Sequence, residues 1–324
     1  MRFVFVLIAC AIAALSSAKA QNLHSWVSAQ GNDSSACTMA APCATFSGAY
    51  QKTNAGGEVS CLNSGAFGGV FIQKSITFDC SAVHAEIGLN TPNFGSLFSV
   101  QIAPTDTVIL RGLDLDCAAY SNATAFQCIS MAGPGLLIVD HVKLSNSSVT
   151  TGSISGLDIV PYQGVAKVVV TDSIFVRNGG PSGGAGIRAA PTSSGGAQVT
   201  INRVVVSGNT FGIAFDTSQS GQQGINATVS NSTITSNAND AIVATTSSSG
   251  GPIGVTVRHS ALTNNGYGIR SIGSGVTVRA DGNAVIGNNI GVSAISGGAL
   301  LTAGNNIVQV NGSNGSFSGP VPLN

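Results

Sequence analysis

Charge is what this chain has least of. Asp, Glu, Lys and Arg make up 8% of its residues, against about 25% in ordinary globular domains. Thirteen basic residues balance thirteen acidic ones, so the chain offers neither the basic footprint of a nucleic-acid binder nor a basic patch for a membrane surface. Disordered chains carry more charge and fewer branched apolar residues, and 43% hydrophobic content therefore points to a folded, strand-rich body. Aromatics are scarce as well. A single Trp argues against propeller blades built on Trp-Asp motifs, and with four Tyr there are few ring platforms for sugar. The 42 glycines follow no three-residue period, which excludes collagen. There is no Cys/His metal spacing, no phosphate-binding glycine loop and no serine nucleophile elbow. After the leader, no apolar run reaches the roughly 18 residues of a spanning helix.

That leader occupies residues 1–20. Arg2, the apolar stretch from Phe3 to Leu15 and the small-residue site Ala18-Lys19-Ala20 read as a secretory signal peptide. A rival site at Leu7-Ile8-Ala9-Cys10 resembles a lipoprotein cleavage site, but the apolar core before Cys10 is shorter than the usual ~7 to 15 residues. Cleavage after Ala20 leaves 11 of the 13 basic residues against 13 acidic. It also leaves an even set of cysteines: Cys37, Cys43, Cys61, Cys80, Cys117 and Cys128. In an exported chain these imply disulfides, with fifteen pairings open in principle. Pairing between neighbours (Cys37 with Cys43, Cys61 with Cys80, Cys117 with Cys128) is the expectation. All six lie in the first half, so the second half has to hold by stacking alone.

From Phe78 onward the chain repeats. A short apolar strand ends at Phe78, Leu110, Val139, Val170, Ile201, Val229, Val257 and Val278, at spacings of 32, 29, 31, 31, 28, 28 and 21 residues. Periods of this size mean a solenoid. Five residues after each end stands an apolar residue: Leu115, Leu144, Phe175, Val206, Ile234 and Leu262. Eight residues after it stands asparagine, at Asn178, Asn209, Asn237 and Asn265, and Asn288 returns after a two-residue shift. These predict an interior apolar ladder and an asparagine ladder at a tight turn. A small residue followed by a branched one (Gly212-Ile213, Ala241-Ile242, Gly268-Ile269, Gly291-Val292) opens the next strand. Each coil then reads strand, turn, strand, turn, strand. Such coils are too long for a left-handed hexapeptide helix, and the glycine-rich calcium-binding nonapeptide is absent. The prediction is an all-β fold, a right-handed parallel β-helix.

Two clusters could carry chemistry. Asp114 and Asp116 alternate with Leu113 and Leu115, so both carboxylates leave one strand on its outer side, roughly 6.5 to 7 Å apart. One coil later Lys143 falls beside Asp114, at the ~4.8 Å spacing of stacked strands. Calcium takes such oxygen ligands, and a lysine flanked by carboxylates can carry a proton. Asp114, Asp116 and Lys143 are thus the candidate catalytic residues, and Asp114 and Asp116 the candidate metal ligands. The competing reading is a solvated salt-bridge ladder contributing only ~0 to 1 kcal/mol. A second row, two residues after the strand ends, holds His141, Asp172, Arg203, Asn231 and His259. His24 and His84 fall outside the repeat. Later coils place Ile174, Val205, Thr233 and Ala261 where Asp114 stands in the first, which makes a flat, uncharged face.

Ahead of the repeats, Pro42 to Asn54 carries Ala44, Phe46, Ala49 and Tyr50 on helical spacing and stops at Gly56-Gly57. A short helix here would cap the open end of the solenoid. Trp26-Val27-Ser28, Gly31-Asn32-Asp33, Pro42-Cys43-Ala44-Thr45-Phe46, Ala49, Gly56-Gly57-Glu58-Val59, Gly65-Ala66-Phe67 and Lys74-Ser75-Ile76-Thr77 resemble the start of secreted bacterial right-handed parallel β-helix proteins of the pectate-lyase-like superfamily. The resemblance implies a leading strand, a capping helix, a glycine pair and coils beginning at the Lys-Ser-Ile-Thr strand. For an enzyme of that group it implies acidic polysaccharide as substrate, with calcium on carboxylates and an Arg or Lys base. The Gly-His-Gly motif of galacturonan hydrolases is missing. Ile138-Val139-Asp140-His141 matches only part of a pectate-lyase motif.

The organisation that follows is a signal peptide over 1–20, a leading strand and capping helix over 21–58, the β-helix over 59–310 and a tail over 311–324. The expected role is that of a secreted or periplasmic protein, without a cofactor, binding a glycan or a protein partner non-catalytically along its long face. The alternative is a polysaccharide lyase or other carbohydrate-active enzyme acting on uronic-acid polymers, with calcium as its ion.

Overall fold

The computed structural model describes residues 22–83, 85–87, 96–117, 127–147, 154–180, 183–219 and 222–322. Residues 1–20, where the signal peptide is expected, with Cys10, and also His84, lie outside the described residues. The alternation read from the repeats folds as expected: three parallel sheets of twelve, nine and ten strands wind around one apolar interior. Each coil contributes one strand to each sheet, and the crossovers take the right-handed sense of parallel connections. This is a right-handed parallel β-helix. Among the described residues no helix is long and apolar enough to cross a membrane.

The interior ladder follows the predicted register. Leu115 pairs with Leu144, Leu144 with Phe175, Phe175 with Val206, Val206 with Ile234 and Ile234 with Leu262, and all six are fully buried. Burying each such side chain contributes about 1.5 to 3 kcal/mol. One coil end needs correction. Val278 faces Val255, and it is Ala280 that faces Val257. Measured from Ala280, Asn288 stands at the ordinary eighth position, and the apparent two-residue shift disappears. A small Ala following exposed Arg279 had hidden the strand end.

The asparagine ladder runs through the second turn. The Oδ1 of each residue accepts both the backbone N–H and the Nδ2 of its counterpart one coil earlier, as from Asn178 to Asn209, Asn209 to Asn237, Asn237 to Asn265 and Asn265 to Asn288, at 2.8 to 3.0 Å. The small residue that opens the next strand makes room for these amides: a Cβ on Gly212 would meet Nδ2 of Asn237 at 3.1 Å. A second polar ladder lies in the first turn, where Val204 N–H donates to Ser232 Oγ, Ser232 N–H to Ser260 Oγ and Ser260 N–H to Asn283 Oδ1.

The N-terminal end is closed by the helix Phe46–Lys52. It is shorter than the predicted segment because Thr45 caps it, its hydroxyl accepting from Gly48 N–H at 2.9 Å. Asp33 in turn holds the Ala44 and Thr45 amides and the Thr45 hydroxyl outside the helix. Phe46 enters a cluster with Phe67, Phe78 and Phe98, at ring separations of 5.1 to 5.5 Å. The strand Thr53–Cys61 follows directly and straddles the expected boundary at 58. At the other end Ser313–Gly315 and Gly319–Pro320, expected within a tail, pair with the preceding coils.

Three disulfides join Cys37 to Cys43, Cys61 to Cys80 and Cys117 to Cys128, with Cα separations of 4.7, 4.9 and 6.0 Å. They fit an oxidising, extracytoplasmic compartment. We expect titration of the denatured, unreduced mature protein with a thiol reagent to find no free sulfhydryl, and reduction to cost about 2 to 4 kcal/mol per bridge. Several reactive thiols per chain would overturn the pairing.

Candidate functional site

The pairing that brings Asp114, Asp116 and Lys143 together is the one the repeat predicts. Lys143 is in register with Asp114 and Ser145 with Asp116. Lys143 Nζ donates to both oxygens of Asp114, at 2.8 and 3.1 Å. Asp116 Oδ1 instead accepts from Asn146 Nδ2 at 2.9 Å, and Asn146 Oδ1 accepts from Arg177 Nε at 2.8 Å. The lysine is thus committed to one carboxylate and an amide to the other. The side chains of Lys143 and Asp114 are 44% and 33% exposed, and water screens a pair this open to about 0 to 1 kcal/mol.

The first-turn row has a backbone cause. His141, Asp172, Arg203, Asn231 and His259 all have φ between 49° and 54°, the left-handed region, and Gly112 and Gly282 occupy the same position in flanking coils at 64° and 62°. Their side chains form an ionic lattice with the strand ends. Arg203 grips Asp172 with two bonds of 2.8 and 2.6 Å. Arg111 bridges Asp79 and Asp140 at 3.3 and 3.0 Å, and His141 Nδ1 lies 2.7 Å from Asp140 Oδ1. Burial acts to raise the Asp140 carboxyl, but hydrogen bonds from His141, Arg111 and Thr171 outweigh it and hold the group below its ordinary range. The Arg203 hydrogen bonds do the same for Asp172. Asp140, His141 and Asp172 offer ligand atoms within 4.8 Å of one another, yet a divalent ion there would meet the guanidiniums already bound to both carboxylates. His24, outside the repeat in sequence, is in register with Glu58 and stacks on Trp26 at 3.8 Å.

A third arrangement was not predicted. On the outer side of the ten-stranded sheet, Arg188, Ala214, Val243 and Arg270 stand in register on four adjacent strands. They line a groove of about 330 Å³ together with Phe211, Asp216, Thr245 and Ile272. The two arginines begin three strand spacings apart, about 14 Å, with the short apolar side chains of Ala214 and Val243 as the floor between them. Gly184, at φ 103°, lets the wall come close: a Cβ there would collide with the Ile154 carbonyl.

Each arginine is tethered to a buried aspartate. Arg188 Nη1 reaches Asp158 Oδ1 and Oδ2 at 3.2 and 3.3 Å, and Asp158 is 3% exposed. Arg270 Nη2 donates to Asp240 Oδ2 at 2.5 Å, and its guanidinium lies 4.2 Å above the Tyr267 ring. Asp240 is fully buried, and its Oδ1 and Arg270 Nε make no hydrogen bond. Burial pushes the Asp240 carboxyl up to about 6 against the attraction of Arg270, and raises Asp158 against Arg188 and Gln127. The available signal was the repeated Gly-Ile-Arg of Gly186-Ile187-Arg188 and Gly268-Ile269-Arg270. Reading the small-plus-branched pair as a strand opening stopped one residue short of it.

No protein-family profile matches the chain, and no curated protein does. Among solved structures it is similar to a pectate lyase, Pel9A, with a TM-score of 0.47 and 15% identity over 89% of this chain and 79% of that one. It is also similar to the periplasmic alginate epimerase AlgG, with a TM-score of 0.38 and 12% identity over 82% of this chain and 74% of that one.

Proposed function

We propose that this protein is an exported, non-catalytic β-helix that binds an acidic glycan across its ten-stranded sheet. The observation that carries the reading is the groove with one guanidinium at each end and an apolar floor of Ala214 and Val243 between them. Guanidinium forks match carboxylate oxygens in geometry as well as charge, and the floor accepts the apolar face of a sugar ring, in the usual division of labour of a ligand groove. Outer positions this short let a chain lie flat. The scarcity of carboxylates and the missing Gly-His-Gly motif support binding over chemistry, and the exposed Lys143–Asp114 pair fits a solvated salt bridge.

The test uses oligogalacturonate and isothermal titration calorimetry. Arg188→Ala with Arg270→Ala should weaken binding about 10- to 100-fold per arginine, the size of a hydrogen bond to a charged group. Unchanged affinity in the double variant would overturn the assignment. A second reading, a lyase centred on Asp114, Asp116 and Lys143, rests on the 2.8 Å approach of Lys143 to Asp114. A calcium-dependent rise in absorbance at the unsaturated-uronate band, lost in Asp114→Asn, would install that reading in place of the first.

A further inference from the structure

We propose that the groove is held shut to anions at neutral pH by its own counter-ions, Asp158 and Asp240, and that acidification opens it. The inference rests on reading the groove as an anion site and adds the control of that site.

The two ends share a pairing and differ in geometry: Asp158 stands in register beside Arg188, whereas Asp240 stands in register with Tyr267 and reaches Arg270 by its side chain. Each groove-lining guanidinium is paired with an aspartate that water hardly reaches, Asp158 at 3% exposure and Asp240 at 0%. Internal anions therefore already occupy the charge that an incoming carboxylate would use. A ligand bound to Arg270 while Asp240 is ionised places two anions on one guanidinium in a poorly solvated wall, where charges interact more strongly than in water. The Arg270 pairing is also incomplete. Only Nη2 is engaged, while Nε and the second Asp240 oxygen make no hydrogen bond. Loss of the Asp240 charge then frees a guanidinium that still rests on Tyr267 and still faces the groove.

The surroundings leave the arginines as the main control. Against Asp158 pack the strand Ala185–Ala189, bringing Arg188, and the strand Gln127–Met131, bringing the uncharged Gln127. Against Asp240 the strand Tyr267–Ile272 brings Arg270 and Tyr267. The strand Phe211–Asp216 carries Asp216, whose Oδ1 accepts from Ser218. On the strands Ile253–Arg258 and Val276–Asp281, Arg258 and Arg279 are exposed and Asp281 half-buried, on a different sheet. Burial raises both aspartates, Asp240 to about 6. Below that value Asp240 is neutral and the anion binds at Arg270, and above it Asp240 ionises and competes; burial shifts Asp158 in the same direction.

The probe is oligogalacturonate, whose carboxylates are ionised at pH 5 and at pH 7. Binding by the wild-type protein should be roughly tenfold tighter at pH 5 than at pH 7 if one group near 6 controls it. Asp158→Asn with Asp240→Asn should bind at pH 7 at least as tightly as the wild type does at pH 5, with little dependence on pH. The wild-type profile needs no variant, so a misfolded double variant leaves the test standing, and Asp240→Asn alone serves as the milder substitution. Wild-type affinity that is flat between the two pH values, or an unchanged slope in the aspartate variants, overturns the gate. Binding that is flat in pH but lost with Arg188→Ala and Arg270→Ala overturns the gate while keeping the groove; no binding at either pH removes both.

Discussion

Phe175→Ala should lower the unfolding free energy by about 3 to 5 kcal/mol, the range for emptying a buried aromatic site. Phe175 is fully buried, with Leu144 on one side and Val206 on the other in the interior ladder. The hydrogen bonds of the stack fix the distance between coils, so the neighbours have little freedom to collapse into the space. Ile174→Ala provides the comparison, because Ile174 adjoins it on the same strand but is 41% exposed. Surface changes of that kind stay within about 0.5 kcal/mol. Urea denaturation followed by circular dichroism decides the matter, and equal midpoints for the two variants would place Phe175 outside the interior.

Asn237→Leu should be of similar severity for a different reason. The Asn237 Oδ1 accepts from the Asn209 backbone at 3.0 Å and from Asn209 Nδ2 at 2.9 Å, while its own Nδ2 donates to Asn265 Oδ1 at 2.9 Å and to the Val206 carbonyl at 3.2 Å. Leucine fills the volume and strands donors and acceptors on both neighbouring coils, at about 1 to 3 kcal/mol per unsatisfied group. Asn226→Leu is the control. Asn226 is exposed on the strand Ile225–Ser230 and lies outside the ladder. Its variant should unfold near the wild-type midpoint, and coincidence of the two variants would mean that the amide stack contributes nothing.

The parts of the fold legible in sequence are those in which one residue type recurs at one position. Leu115 to Leu262 and Asn178 to Asn265 recur in successive coils, because an interior and a buried turn impose the same demand each time. The serine ladder of the first turn escaped notice because Val142 and Val204 interrupt it in the coils where only a backbone N–H is needed. The groove escaped for a more general reason. Its lining is made of unlike residues in adjacent coils: Arg188, Ala214, Val243 and Arg270 share a row without sharing a chemistry, and recurrence does not mark them. Asp158 and Asp240 do not occupy equivalent positions either. Asp158 pairs directly with Arg188, whereas Asp240 pairs with Tyr267 and reaches Arg270 by its side chain.

The register has a consequence for the gene as well as for the protein. Ile201 is matched with Val229 and Val229 with Val257, each 28 residues on. Excising residues 229–256 would bring Ile201 against Val257, Val206 against Leu262 and Asn209 against Asn265, each of these inner neighbours replaced by one of its own kind. The length of this molecule is therefore an editable quantity, adjustable by whole coils through a single in-frame duplication or deletion. Losing one residue from the same strand is a far harsher edit, since it turns the inner row outward and the outer row inward.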